Sequence, residues 1–386
     1  MQIAERVKKV SPSLTLAIDS KAKEMKKQGI DVVGFGAGEP DFDTPDYIKD
    51  AAKLALDKGN TKYTPVTGLP ELKKAICKKL LTDNNLHYDI DHIAVNCGAK
   101  HSLYNYFQAT INPGDEVLVP TPYWVSYPDQ IILADGIPVF VHTTEESGYK
   151  ITPEILEKHY TPKTRCLILN SPSNPSGVMY SEEELKNIAN YCVSKNLPVI
   201  SDEIYEHLNY DFPHLSIASF GDDIKALTSV VNGLSKSHSM TGWRIGYIAT
   251  STEIIKAINK IQGHSTSNPT TFAQIASIKA LEGGLSFTKM MREEFKKRRD
   301  YVVNRLNTIK GITCISPGGA FYAFPDISGL GLGSMAFCEK LLDKLYVACV
   351  PGIAFGHDKN IRISYACSMA TIEKGLDRIE KFAQSL

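Results

Sequence analysis

The eight cysteines, at positions 77, 97, 166, 192, 314, 338, 349 and 367, include no C-x-x-C pair. A zinc site of the usual spacing is therefore not expected, and no metal is assigned. A chain of 386 residues with 43% hydrophobic content can build its own core, so a disulfide framework is not needed and reduced thiols are the simpler reading. No charge sign is in excess: 43 Lys and Arg face 43 Asp and Glu. That argues against nucleic acid as a dominant partner, though a local basic pocket for a small anion remains open. No apolar run approaches the roughly 18 residues of a membrane span. The first 16 residues carry charges and Pro12 but no apolar h-region, so neither a signal peptide nor a membrane partner is expected, and the location is expected to be cytoplasmic. Internal repeats and low-complexity segments are also lacking.

What is present is alternation. Residues 51–57 and 69–80 read as amphipathic helices, and Ile93 to Asn96 reads as a short strand followed by a helix through Gln108. Further short apolar runs follow at 116–119, 137–142, 165–170, 198–201, 226–231 and 244–249. Helical segments separate most of them, such as 181–195 with its S-E-E-E start. This pattern predicts an α/β domain with a mostly parallel sheet flanked by helices. After residue 286 it changes: one long charged helix to about 309, a strand at 320–324, a helix from Ser334, strands near Val347 and Ile361, and a last helix from Ala370. This reads as a smaller α+β unit, joined by an N-terminal helix over 15–28. The expected division is a large domain over 45–290 and a discontinuous small domain over 1–44 and 291–386.

In an open parallel sheet, ligands gather beyond the carboxyl ends of the strands. Asn174, Asp202 and Lys236 each follow a predicted strand, as do Gly98, Ala99 and Lys100. Taken singly, Asp202 reads as a helix cap and Lys236 as a solvated lysine. Together, at one sheet edge, they build a site. Lys236 sits in N-G-L-S-K-S-H-S-M-T-G-W-R-I-G, residues 232–246. A lysine in a small-residue turn between buried strands is partly desolvated, which lowers its pKa and favours the neutral nucleophile that imine formation needs. Arg244, eight residues on, offers a fixed positive charge for a phosphate. The Gly34, Gly36 and Gly38 run lacks the full spacing and the βαβ setting of a dinucleotide loop.

Six segments, in order, carry a resemblance: A-G-E-P-D-F-D-T-P at 37–45, K-Y-T-P at 62–65, P-Y-W-V-S-Y-P at 122–128, N-S-P-S-N-P-S-G at 170–177, S-D-E-I-Y-E at 201–206 and the lysine segment, with I-R-I-S-Y-A at 361–366 closing the match. The sequence resembles the class I aminotransferases among the fold-type I pyridoxal-phosphate enzymes, and within them the bacterial-type aspartate aminotransferases of subgroup I-beta. The resemblance implies a seven-stranded-type sheet with a smaller α+β domain, and pyridoxal 5'-phosphate held by Lys236 as a Schiff base. It implies Asp202 against the pyridine nitrogen, Tyr205 and Asn174 on the phenolic oxygen, and Trp124 stacked on the ring. Ala99 and Lys100 amides, Ser235 and Arg244 would receive the phosphate. Tyr63 would reach the phosphate of a neighbouring subunit, implying a homodimer. Arg362 would grip the substrate α-carboxylate as a bidentate fork, with the Gly38 backbone close to the bound substrate. An ion pair within the fold is the competing reading of Arg362. Lys236, with Asp202 and Tyr205, would carry the catalysis, and Lys236 would move the α-proton.

Lys100 implies a dicarboxylic amino acid and a 2-oxo acid as substrates, with S-T-S-N at 265–268 adding contacts across the dimer. The alternatives are an aminotransferase for aromatic, kynurenine-like or prephenate substrates, and a carbon–sulfur lyase or synthase on the same fold. Two departures stand out. Gly233 occupies a position where many relatives carry a phosphate-binding serine, which Ser235 or Ser237 would replace. Gly98-Ala99 stands where close relatives have two glycines.

Overall fold

The computed structural model describes residues 2–10 and 14–386, with the backbone alone for residues 14–16 and 19. Pro12 lies outside the described residues. The strands are β1 Val33–Gly34, β2 Ile93–Asn96, β3 Glu116–Pro120, β4 Ile137–Val141, β5 Thr164–Asn170, β6 Val199–Asp202, β7 Thr228–Gly233, β8 Gly246–Ala249, β9 Tyr322–Ala323, β10 Val347–Ala348, β11 Val350–Pro351 and β12 Ile361–Ser364. Seven of them form one sheet in the order β2-β8-β7-β6-β5-β3-β4. Every pairing is parallel except those of β8, which runs antiparallel to β2 and β7. Residues of β2, β6, β7 and β8 are buried throughout. That is why their sequence is an unbroken short run and not an alternating one: helices cover both faces.

Local chemistry sets the helix ends. Ser181 Oγ accepts from the Glu184 backbone N–H at 3.3 Å, and the Glu184 carboxylate accepts from the Ser181 N–H at 2.6 Å. This reciprocal cap starts the helix Glu182–Lys195, and Asn196 in the left-handed region (φ 49°) stops it. The long charged helix spans Ser286–Thr308, the last helix Met369–Gln384 and the N-terminal one Leu14–Lys27.

A second apolar core gathers both chain ends, with Phe35 beside Phe295, Phe321, Phe337, Ile361 and Phe382. β1 pairs in parallel with β10, register Val33 to Val347. β9, β11 and β12 make a small antiparallel sheet. Here two expected strands are shorter than the apolar pattern suggests. Residues 320–324 yield only Tyr322–Ala323, because Ala320 has φ 60°. Residues 244–249 yield only Gly246–Ala249, because Arg244 turns at φ 58° after a short 3-10 turn over Thr241–Trp243.

Candidate active site

A cavity of about 530 Å³ opens at the carboxyl ends of β5, β6 and β7. It takes Asn170, Asn174, Asp202, Tyr205, Ser235 and Lys236 from those strand ends, and Ala99 and Lys100 from the start of the helix Ala99–Thr110. Trp124 and Tyr127 come from the β3 side, Gly38 and Glu39 from the loop after β1, Arg244 from the turn before β8, and Tyr322 and Arg362 from the small antiparallel sheet. The cavity therefore gathers residues from six parts of the chain at the carboxyl end of the large sheet, as expected for an open α/β sheet.

The Lys236 amine donates to the Gly38 carbonyl at 2.5 Å. Burial, the largest cause, lowers its pKa to about 8. The charges of Arg244 and Arg362 lower it further, while Glu39 and Asp202 act in the other direction. Asp202 is 4% exposed. Burial raises its carboxyl to about 6, against hydrogen bonds from Tyr127 and the Ile204 N–H that lower it. The carboxylate is thus mostly ionised at pH 7 while buried, a state suited to a cationic partner.

Arg362 is 3% exposed. It donates to Asn174 Oδ1 at 3.1 Å and to the Gly36 carbonyl at 2.8 Å, and its guanidinium lies over the Tyr322 ring at 4.6 Å. Its Nε has no hydrogen-bond partner. Among the described residues no carboxylate pairs with it. The ion-pair reading of this arginine is therefore not met, and the guanidinium keeps capacity for an outside carboxylate.

The other end of the cavity is built from backbone. Gly98 precedes the helix Ala99–Thr110 at φ 90°, and a Cβ there would lie 2.5 Å from Arg244 Nη2. Gly246 lies against the start of that helix, where a Cβ would come within 2.2 Å of the Ala99 nitrogen. Arg244 donates to the Thr241 carbonyl at 2.8 Å and to the Cys97 carbonyl at 3.2 Å. First-turn amides without intrahelical partners, next to a guanidinium, make an anion cradle.

The sequence pattern described as Aminotransferase class I and II matches residues 30–379. The chain belongs to that family. An aspartate aminotransferase of Bacillus sp. (strain YM-2) is 50% identical over 388 residues, covering 99% of both chains. A protein of Aquifex aeolicus (strain VF5) called probable aspartate/prephenate aminotransferase is 47% identical, over 100% of this chain and 99% of its own. In structure, the chain is similar to the aspartate aminotransferase from Rhizobium meliloti, with TM-score 0.96 and 43% identity over 100% of this chain and 99% of that one.

Of the residues singled out from the sequence, Gly38, Ala99, Lys100, Trp124, Asn174, Asp202, Tyr205, Ser235, Lys236, Arg244 and Arg362 line this cavity. Tyr63 is 90% exposed and lies outside it, as does the 265–268 stretch. Ser235 lines the cavity, whereas the Ser237 hydroxyl engages His238 Nδ1 at 2.8 Å. Of the two serines considered as substitutes at Gly233, only Ser235 is therefore placed to help. At Gly233 itself a Cβ would sit 3.0 Å from Gly246 Cα and the Ile245 carbonyl, so the close approach of β7 and β8 favours glycine there.

Sequence reasoning gave no role to Tyr127, Tyr322, Thr241 or Glu39. Tyr127 donates to Asp202 Oδ2 at 2.7 Å. Tyr322 and Tyr205 share a hydroxyl contact at 2.9 Å. Thr241 Oγ1 donates to Glu39 Oε2 at 2.8 Å. Tyr127 follows Trp124 by three positions within an already distinctive segment, and that spacing was the one available signal.

Proposed function

We propose that the protein is a pyridoxal-phosphate-dependent aminotransferase that transfers the amine of L-aspartate to 2-oxoglutarate, giving oxaloacetate and L-glutamate. The observation that carries this reading is a buried guanidinium that has no carboxylate partner among the described residues, in the same cavity as a lysine amine whose pKa is lowered to about 8. An α-amino acid presents a carboxylate and an amine to such a pair.

The residues fit the cofactor. The amides of Ala99 and Lys100, with Ser235 and Arg244, would hold its phosphate. Asp202 would face the ring nitrogen, Tyr205 and Asn174 the phenolic oxygen, and Trp124 the ring face. When bound, pyridoxal phosphate supplies an aldehyde for amine exchange and a ring that withdraws electrons from the substrate α-carbon.

The remaining chemistry belongs to the chain. Lys236 Nζ, substantially neutral near pH 8, is the nucleophile and afterwards takes up and returns the α-proton. Asp202, mostly ionised above pH 6, keeps a proton on the atom it faces. Arg362 fixes the α-carboxylate through its fork, and the Gly38 carbonyl, released by Lys236, borders the substrate. Lys100, with its ammonium 4.8 Å from the centre of the Trp124 ring, would bind a distal carboxylate. The amine leaves the first substrate before the second arrives, so ping-pong kinetics are expected.

We place the active unit as a cytoplasmic homodimer in which exposed Tyr63 reaches the neighbour's phosphate site. The division into a domain over 45–290 and a discontinuous one over 1–44 and 291–386 belongs to the same reading, supported by the separate core that joins both chain ends. No helix among the described residues is long and apolar enough to cross a membrane.

The test is an absorbance titration of the cofactor-loaded protein with aspartate, glutamate and phenylalanine, with borohydride trapping as a control. Conversion to the aminated cofactor by aspartate and glutamate is expected, with label at Lys236 after borohydride and none in Lys236→Ala. Equal or faster conversion by phenylalanine would overturn the aspartate assignment. Turnover of prephenate at a comparable rate would select the second activity named in the Aquifex relative.

A further inference from the structure

The cofactor reading leaves unexplained why a phenol is sealed against Asp202. Tyr127 is 2% exposed, on the first turn of the helix Ser126–Leu133, and its ring meets that of Trp124 edge-on, with centroids 5.3 Å apart at 80°. Among the described residues its hydroxyl has one hydrogen-bond partner, Asp202 Oδ2 at 2.7 Å. The other carboxylate oxygen, Oδ1, accepts from the Ile204 N–H at 3.3 Å.

We propose that Tyr127 is a positioning residue that acts through Asp202: its hydroxyl holds one carboxylate oxygen, keeps the group ionised, and thereby holds the proton on the cofactor's ring nitrogen. This rests on the cofactor reading above. The chemistry follows from who can donate. The Tyr127 phenol is pushed well above its ordinary pKa, by burial first and then by the Asp202 charge, so it stays protonated and can only give its hydrogen bond to the carboxylate. The groups facing Asp202 divide by sign. Tyr127, the Ile204 N–H and the Lys236 charge favour the carboxylate; burial and the Glu203 charge oppose it. Tyr205, whose own pKa Asp202 helps to raise, completes the set. Of the side chains that favour ionisation, Lys236 is to be consumed by the cofactor. Tyr127 is then the side chain left to offset burial. Trp124, three residues earlier and just before that helix, would face the ring, so one short segment would both stack on the cofactor and set its charge.

The experiment compares wild type, Tyr127→Phe and a protein with 3-fluorotyrosine at position 127, each loaded with cofactor labelled with ¹⁵N at the ring nitrogen. The readouts are the pH at which the nitrogen shift reports proton loss, and kcat and KM for the aspartate half-reaction. In Tyr127→Phe the nitrogen is expected to lose its proton about one pH unit lower, with kcat down roughly tenfold and KM within about twofold, the scale of one hydrogen bond to a charged group. The fluorinated phenol, a stronger donor of nearly the same size, is expected to move the nitrogen the opposite way, and it covers the case in which Tyr127→Phe fails to fold. Coincident nitrogen titrations in all proteins that load cofactor would overturn the proposal. A wild-type protein that fails to retain cofactor at Lys236 would instead overturn the reading beneath it.

Discussion

Arg362 and Asn174, 188 residues apart, meet at 3.1 Å between Nη1 and Oδ1. The contact ties β12 of the small sheet to the loop after β5, and among the described residues the arginine has no carboxylate counter-ion. A neutral amide orients the fork without satisfying its charge, which leaves donors free for the carboxylate that the proposed function assigns to it. Arg362→Lys keeps a charge but loses the planar pair of donors. The expected result is a fall of roughly 10–100-fold in kcat/KM for aspartate, since hydrogen bonds to charged groups contribute about 1.5–3 kcal/mol. Steady-state kinetics check it, and an unchanged kcat/KM would remove Arg362 from substrate binding.

A second prediction concerns pH. The Lys236 amine, ordinarily at 10.5, sits at about 8 in the folded chain, chiefly through burial. Its folded value lies below its unfolded one. The stability linked to it is therefore fully present above the ordinary amine pKa and is lost as the pH falls through about 8. At pH 7 the half-buried ammonium opposes folding of the cofactor-free protein by at most roughly 3 kcal/mol. Lys236→Met is expected to melt several degrees higher than wild type at pH 7 without cofactor, and to show little advantage near pH 10.5. Thermal scans at both pH values measure this, and a pH-independent difference would contradict it.

The cradle at the helix start predicts a cost for one methyl group. Gly98→Ala must hold alanine at φ 90° and place its Cβ 2.5 Å from Arg244 Nη2. The strain, of the order of 1–3 kcal/mol, falls on the phosphate side. The cofactor dissociation constant is expected to rise about 10–100-fold, while Gly263→Ala, where nothing lies within 4 Å of the added atom, serves as a neutral control. Equilibrium dialysis decides between them.

Arg362 lies on β12, between Ile361 and Ile363 of the core that joins the chain ends, while Lys236 lies in the segment just after β7 of the seven-stranded sheet. The unit carrying Arg362 and the helix Leu14–Lys27 is expected to close on the large sheet when a dicarboxylate such as maleate binds. Crystal structures with and without maleate provide the measurement, and superimposable positions of that helix would exclude closure.

Much of this was legible in advance. Ile93–Asn96 is a strand, and the Ser181–Glu184 cap starts a helix, because both depend on neighbours within four positions. Apolar pattern alone overran at 320–324 and 244–249, because the left-handed residues Ala320 and Arg244 answer to tertiary demands. At Arg244 the demand is the aim of its guanidinium at the helix start.

The order of strands and helices, the place of Lys236 just after a buried strand and that of Arg362 within an apolar one were determined by sequence, since residue type and short-range spacing suffice to write them. Tertiary structure alone decided that Tyr127 meets Asp202 across 75 residues, that Tyr205 meets Tyr322 across 117, and that Ser235 and not Ser237 faces the cavity. A side chain's partner depends on where distant segments pack and which way its own Cβ points, and neither is written in the spacing of a single segment.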